Sequence, residues 1–190
     1  VLPEELSEIG FAAFSGCKSL VSVNFPDGLA EIPSSCFKET SISEFTFSPN
    51  VRVIGSSAFE GCEKITSLTV PETVTEIGDD AFHKCTSLET IELSAKIDRI
   101  GLGVFQSCTS LKTIVIPEGV QRLHLASFWN CTALERIVLP ASLSEIGAYA
   151  FEKCENLQTI CFAGTQPQWE AVAVNDSNDL SSVSVVYDYR

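Results

Sequence analysis

Residues 54–93 read IGSSAFEGCEKITSLTVPETVTEIGDDAFHKCTSLETIEL, and the phrase that opens at Ile54 starts again at Ile77. Both copies carry Ile-Gly, then Ala-Phe, then Cys, then an apolar residue three positions on. Working outward, Ile9, Ile32, Ile54, Ile77, Ile100, Leu123 and Ile146 recur at one interval, shortened by a single position between Ile32 and Ile54. A phenylalanine column follows the same rhythm at Phe14, Phe37, Phe59, Phe82, Phe105, Phe128 and Phe151. The next column is Cys17, Thr40, Cys62, Cys85, Cys108, Cys131 and Cys154, and after it Leu20, Ile42, Ile65, Leu88, Leu111, Leu134 and Leu157. The unit is P-x-x-[VL]-x-x-I-G-x-x-A-F-x-x-C-x-x-L-x-x-I-x-I. Its second copy is irregular, with Pro33 for Gly, Thr40 for Cys and one residue fewer between Phe37 and Ile42.

A unit this short cannot bury its own apolar face, so the copies must stack, each column packing on itself along the axis. The end of L-x-x-I-x-I has period two and predicts a β-strand. Successive strands then lie side by side and run the same way, at a spacing of about 4.8 Å. About seven rungs result, in one parallel sheet roughly 30 Å long. The Ala-Phe segment is expected to form a turn of 3₁₀ or α helix that carries Phe inward. Proline after the strand, as at Pro26, Pro71, Pro117 and Pro140, removes a donor and ends the ladder. The repeats are expected over residues 2–162, in units starting near 2, 26, 48, 71, 94, 117 and 140. Residues 163–190 leave the period and are expected to form an irregular C-terminal cap, because a solenoid's last rung has an exposed apolar face. Within this segment Pro167–Val174 could be a short helix and Val183, Val185 and Val186 a last strand, with Trp169 as a plug. No methionine is present, even at position 1, and Val1 falls inside a repeat. The chain therefore reads as a piece of a longer polypeptide, with an earlier repeat and a signal peptide both open expectations.

The phrases at 54–93 and IGAYAFEKCENLQTICFAGTQPQW at 146–169 resemble the BspA-like, or Treponema-type, leucine-rich repeat family. The resemblance covers residues 2–174. It implies a right-handed leucine-rich-repeat solenoid in an extracellular or cell-surface setting. It also implies binding of a protein ligand, such as adhesion to a host or matrix protein. The motif is a fold motif, so it carries over no ligand residue.

Composition agrees with a folded binding scaffold. Hydrophobic residues make up 45% and charged residues 19%, with 25 acids against 12 bases and a net charge of -13. Such a surface repels phosphate backbones and anionic lipid, so neither nucleic acid nor a membrane surface is an expected partner. No apolar run reaches the roughly 18 residues that a spanning helix needs, so no membrane span is expected. Six of eight cysteines share one column and no C-x-x-C occurs, so the expected state is a ladder of buried free thiols, with no zinc site. Cys36 and Cys161 lie outside the column, and Cys161 is expected on the outer face of a strand. His83 is expected in a solvent-facing column, and His124 replaces a Gly. Neither sits in a catalytic or metal signature, no G-x-G-x-x-G loop occurs, and no cofactor is expected. The chain is not expected to be an enzyme.

Binding is then expected at outward positions. On the strands these run in two columns, the second being Asn24, Thr46, Thr69, Glu92, Val115, Val138 and Cys161. It turns apolar at Val115, Val138 and Cys161, next to Arg136 of the first column. Two readings stand: a contact patch, or packing under residues 163–190. A second candidate is Trp129 with Leu125, either an interface anchor or a residue packed on its own unit. The candidate protein-binding set is thus Glu92, Val115, Arg136, Val138, Cys161, Leu125 and Trp129. The functional expectation is a protein-binding surface domain, the alternative a structural spacer that carries another domain.

Overall fold

The computed structural model describes residues 2–189. The chain passes through β1 (Ser22–Asn24), β2 (Glu31–Ile32), β3 (Glu44–Thr46), β4 (Val53–Ile54), β5 (Ser67–Thr69), β6 (Glu76–Ile77), β7 (Thr90–Glu92) and β8 (Arg99–Ile100). It continues through β9 (Thr113–Val115), β10 (Arg122–Leu123), β11 (Arg136–Leu139), β12 (Glu145–Ile146), β13 (Thr159–Phe162), α1 (Gln166–Glu170), β14 (Ala173–Val174) and β15 (Ser184–Val186). Every strand pair is parallel and links neighbouring rungs. The repeat period therefore reads out as a stack, as the columns require.

The expected single sheet is, in detail, two rows. The longer strands form one row, hydrogen-bonded as β1-β3, β5-β7 and β9-β11-β13-β15. The two-residue strands at the Ile-Gly positions form a second row, β2-β4-β6-β8 and β10-β12-β14. That second row escaped the periodicity argument because two residues are too few to show alternation.

The Ala-Phe segments are not helical turns, which corrects the expectation. Alternate N–H groups do different things: Ala58, Glu60 and Cys62 donate three residues back, to Gly55, Ser57 and Phe59, closing β-turns. Ser57, Phe59 and Gly61 donate instead to Asp79, Ala81 and His83 of the next rung, at 2.7–2.8 Å. Helix needs consecutive donors pointing back along one axis, whereas here every second donor is spent between rungs. The alternation places Ser57 (φ 54°) and Gly61 (φ 70°) in the left-handed region, and Asp80, Lys84, Ala126 and Asn130 repeat it. Each turn thus holds non-glycine residues in a costly conformation, offset by a third inter-rung ladder.

Inside, the phenylalanine column stacks face to face from Phe14 to Phe151, with centroids 5.3–5.8 Å apart. Behind it runs the thiol ladder. Each Sγ–H donates to the carbonyl of the Phe one rung back: Cys62 to Phe37 (3.0 Å), Cys85 to Phe59, Cys108 to Phe82, Cys131 to Phe105 and Cys154 to Phe128. Phe59 O also accepts Cys62 N–H, so the thiol fills the second lone pair of a buried carbonyl. All eight cysteines are free. The expectation of six buried column thiols holds for Cys62, Cys85, Cys108 and Cys131, but Cys154 is half-buried and Cys17 is exposed. Cys17 lies in the first described rung, which among the described residues has a neighbour on one side only.

Closeness requires the glycine at Gly55, Gly78, Gly101 and Gly147, whereas Gly10 has open space around it. A Cβ on Gly78 would lie 2.6 Å from Ser56 N, and one on Gly101 2.5 Å from Asp79 N. That approach lets Gly55, Gly78, Gly101 and Gly147 N–H bond Ile32, Ile54, Ile77 and Leu123 O at 2.7–2.9 Å. His124 carries a Cβ at this position, and here β8 and β10 do not pair. A fissure of about 420 Å³ opens instead, lined by Asp98, Arg99, Gln121, Arg122 and His124 among others.

Residues 163–189 complete a further rung by a detour. β14 extends the second row and β15 the first. Side chains replace the missing backbone of the turn ladder: Ser177 Oγ accepts from Tyr149 N–H (2.7 Å) and Asn178 Oδ1 from Phe151 N–H (3.0 Å). The helix α1 is shorter than the expected Pro167–Val174 and begins at a capping box in which Thr165 and Gln168 reciprocate. Its Trp169 packs edge-on against Phe162, centroids 5.3 Å apart, as a plug on the last rung.

Candidate functional site

Period two along each long strand sends Ile91, Ile114 and Ile137 inward, and leaves the flanking positions outward. In-register pairing of β9 with β11 sets Val115 beside Val138, and Arg136 beside Thr113. Glu92 holds the same register position on β7. The three side chains Glu92, Val115 and Val138 therefore follow one another across neighbouring strands, with Val115 and Val138 about 4.8 Å apart.

They line a groove of about 640 Å³ that runs from the strand face over the corner where the strands end. Leu93, Pro117, Leu139, Pro140 and Ala163 supply more of its apolar wall, and Glu118 joins Glu92 at its rim. Val115 is 60% exposed, beside half-buried Val138. The groove opens where β7 and β9 lack paired hydrogen bonds. Sequence reasoning missed the prolines and Leu93 as lining residues. Their role as strand terminators hid that successive units place them side by side at one corner.

The other candidates are placed elsewhere. Arg136 is exposed at the opposite end of β11, away from the groove's lining. Cys161 is buried, at 3% exposure, which corrects its expected outer position. The C-terminal chain adds a rung beside that strand: β15 pairs with it, setting Val186 next to Cys161, and Tyr189 N–H donates to Phe162 O. Cys161 is thus buried, while Val115 stays open to solvent and Val138 is half-buried.

Leu125 is exposed, on the turn side with Leu102 and Tyr149, two residues the sequence reading did not single out. Trp129 is half-buried and engaged locally. Its Nε1–H donates to Glu152 Oε2 at 2.9 Å, and Lys153 Nζ sits 4.6 Å above the ring. This favours packing on the neighbouring rung over a free anchor. His83 also departs from expectation, because its column is mostly half-buried rather than solvent-facing. Its Nε2 is buried without a hydrogen-bond partner, and Nδ1 lies 3.8 Å from Glu60 Oε1. Burial pulls the imidazole below its usual range, against the pull of Asp80 and Glu60. Among the described residues no group of three or more His, Cys, Asp or Glu side chains is placed to hold a metal ion. No helix of the described chain is long and apolar enough to cross a membrane.

Parallel rungs, a thiol ladder that links them, and apolar columns that recur once per rung define a leucine-rich-repeat solenoid. More narrowly, the chain belongs to the BspA type leucine rich repeat region family, whose repeat matches in six copies over residues 1–109 and 75–187. Among solved structures it is similar to a leucine-rich repeat protein from Bacteroides ovatus. The likeness has a TM-score of 0.79 and 27% identity, over 99% of this chain and 54% of that one. A leucine rich repeat protein of T. pallidum is 36% identical, with a TM-score of 0.57, over 58% of this chain and 52% of that one. A leucine rich cell surface protein from Faecalibacterium prausnitzii, 22% identical with a TM-score of 0.51 over 88% of this chain and 65% of that one, shares the fold. The chain spans about half the length of the first two. No curated protein matches it.

Proposed function

We propose that this chain is a protein-binding repeat domain, cell-surface or secreted, that grips a protein ligand with the strand-face groove around Val115. A single observation carries this reading: an aliphatic pair, exposed Val115 and half-buried Val138, lines a concave groove on the strand face. Water-exposed carbon in a concavity gains about 25 cal/mol per Å² when a partner covers it. The repeating columns are accounted for by packing, which leaves the non-repeating outward residues as the part free to specify a ligand. The domain binds without turnover, and the extracellular setting follows from the family resemblance.

The experiment is capture of purified extracellular-matrix proteins on the immobilised domain, with Val115→Glu and Trp129→Ala in parallel. A charge at Val115 enters the desolvated contact and abolishes capture, whereas Trp129→Ala leaves it unchanged. Equal capture by Val115→Glu and the parent refutes the groove as the site. Capture of nothing by the parent favours the spacer role.

A further inference from the structure

We propose that the groove over β7, β9 and β11 takes an extended polypeptide segment in which an aliphatic side chain is flanked by lysine or arginine. This rests on the strand-face reading above and adds the chemistry of the partner. The groove's lining holds two carboxylates, Glu92 and Glu118, and no basic residue; the rest is aliphatic, proline or threonine. Neither carboxylate has a cationic partner among the described residues. Among the described residues five of the acids have a lysine or arginine partner one rung away, as Glu76 has Arg99 (2.7 Å), Glu89 has Lys112 (3.0 Å) and Glu145 has Arg122 (2.8 Å), and none of the five lines the groove. Each rim carboxylate uses one oxygen internally. Glu92 Oε2 accepts from Thr69 Oγ1 and Glu118 Oε1 from Ala141 N–H at 3.1 Å, which fixes the side chains and leaves a second oxygen for a ligand.

Spacing sets the form of the partner. Val138 stands one paired strand, about 4.8 Å, from Val115, and Glu92 lies on the next strand, across the unpaired β7–β9 edge. Side chains two apart on one face of an extended chain are separated by about 6.8 Å, close enough to set a cation over Glu92 and an aliphatic group over the valines. A volume of about 640 Å³ admits a few side chains, and the net charge of -13 draws cationic segments in from a distance.

The test uses three capped pentapeptides, Lys-Ser-Leu-Ser-Lys, Glu-Ser-Leu-Ser-Glu and Lys-Ser-Ser-Ser-Lys, abbreviated by their first, third and fifth residues, which share one face, to Lys-Leu-Lys, Glu-Leu-Glu and Lys-Ser-Lys. Each is titrated into the isotope-labelled chain and followed by the methyl shifts of Val115 and Val138. The Lys-Leu-Lys peptide is expected to saturate at a concentration about tenfold lower than either of the others. Its advantage over Glu-Leu-Glu is expected to fall at least by half in the exposed double variant Glu92→Gln/Glu118→Gln and at high salt. Equal binding of both leucine peptides overturns the cationic preference while leaving the apolar strand-face reading standing. Equal binding of Lys-Ser-Lys overturns the aliphatic requirement. Absence of any shift at Val115 and Val138 with all three overturns the proposal, and the capture experiment then decides the strand-face reading separately.

Discussion

Replacing Gly78 by alanine tests whether the glycine column is dictated by rung contact. The added Cβ would lie 2.6 Å from Ser56 N and 2.9 Å from Gly55 C, both backbone atoms that can retreat only by separating the rungs. Overpacking of this kind costs about 1–3 kcal/mol. Separation also breaks the 2.8 Å bond from Gly78 N–H to Ile54 O, a loss of about 0.5–1.5 kcal/mol. Alanine restricts the unfolded chain and returns about 0.4–1 kcal/mol. Gly78 is not in the left-handed region, so no strain is added from that source. The net expectation is destabilisation of about 2 kcal/mol, at the centre of a range set by those three effects. Urea unfolding followed by circular dichroism measures it, and backbone amide exchange locates it, with protection lost at residue 78 and on β4 and β6. A variant as stable as the parent, or protection unchanged at residue 78, refutes the argument.

The converse change, His124→Gly, should close the fissure between β8 and β10. Amide exchange at residue 124 is expected to slow, while overall stability moves by less than about 1 kcal/mol because the new bond is offset by glycine's backbone entropy. Thiol reactivity should divide by burial. Cys17 is expected to react with a chromogenic disulfide in native protein, whereas Cys85, Cys108 and Cys131 react only after denaturant is added. Burial holds those three thiols well above their ordinary range, and it pushes Cys36 to about 12. Rapid native labelling of more than the exposed or half-buried thiols would contradict the ladder. His83 should make stability pH-dependent: its folded pKa lies below the ordinary 6.5, so the folded state binds fewer protons than the unfolded one. Its contribution is full above about pH 6.5 and is lost as pH falls through the lowered value. Urea midpoints at pH 7 and pH 5 are therefore expected to differ less in His83→Gln than in the parent.

Periodicity made the stack legible. Columns of Ile, Phe, Cys and Leu that recur at one fixed interval can be buried only by copies laid in parallel, so the sequence by itself determined the solenoid, its rung direction and its inward columns. It also marked Val115 and Val138 as outward and apolar, since alternation along a strand is a local property. What depends on neighbouring rungs was hidden. The turn geometry was one case: two residues per unit adopt positive φ because alternate donors are taken by the next rung, and a helix signal of the same length looks alike in sequence. Cys161 was another, outward by alternation yet buried once β15 pairs beside its strand, a return path that no local pattern specifies. The groove was a third. Leu93, Pro117 and Pro140 each end a strand in their own unit, and only the superposition of units at one corner turns three strand ends into a concave wall. Local pattern decides which side of its own strand a residue faces. What then covers that side, or leaves it open, depends on how the separate rungs come together, and this the tertiary structure alone decided.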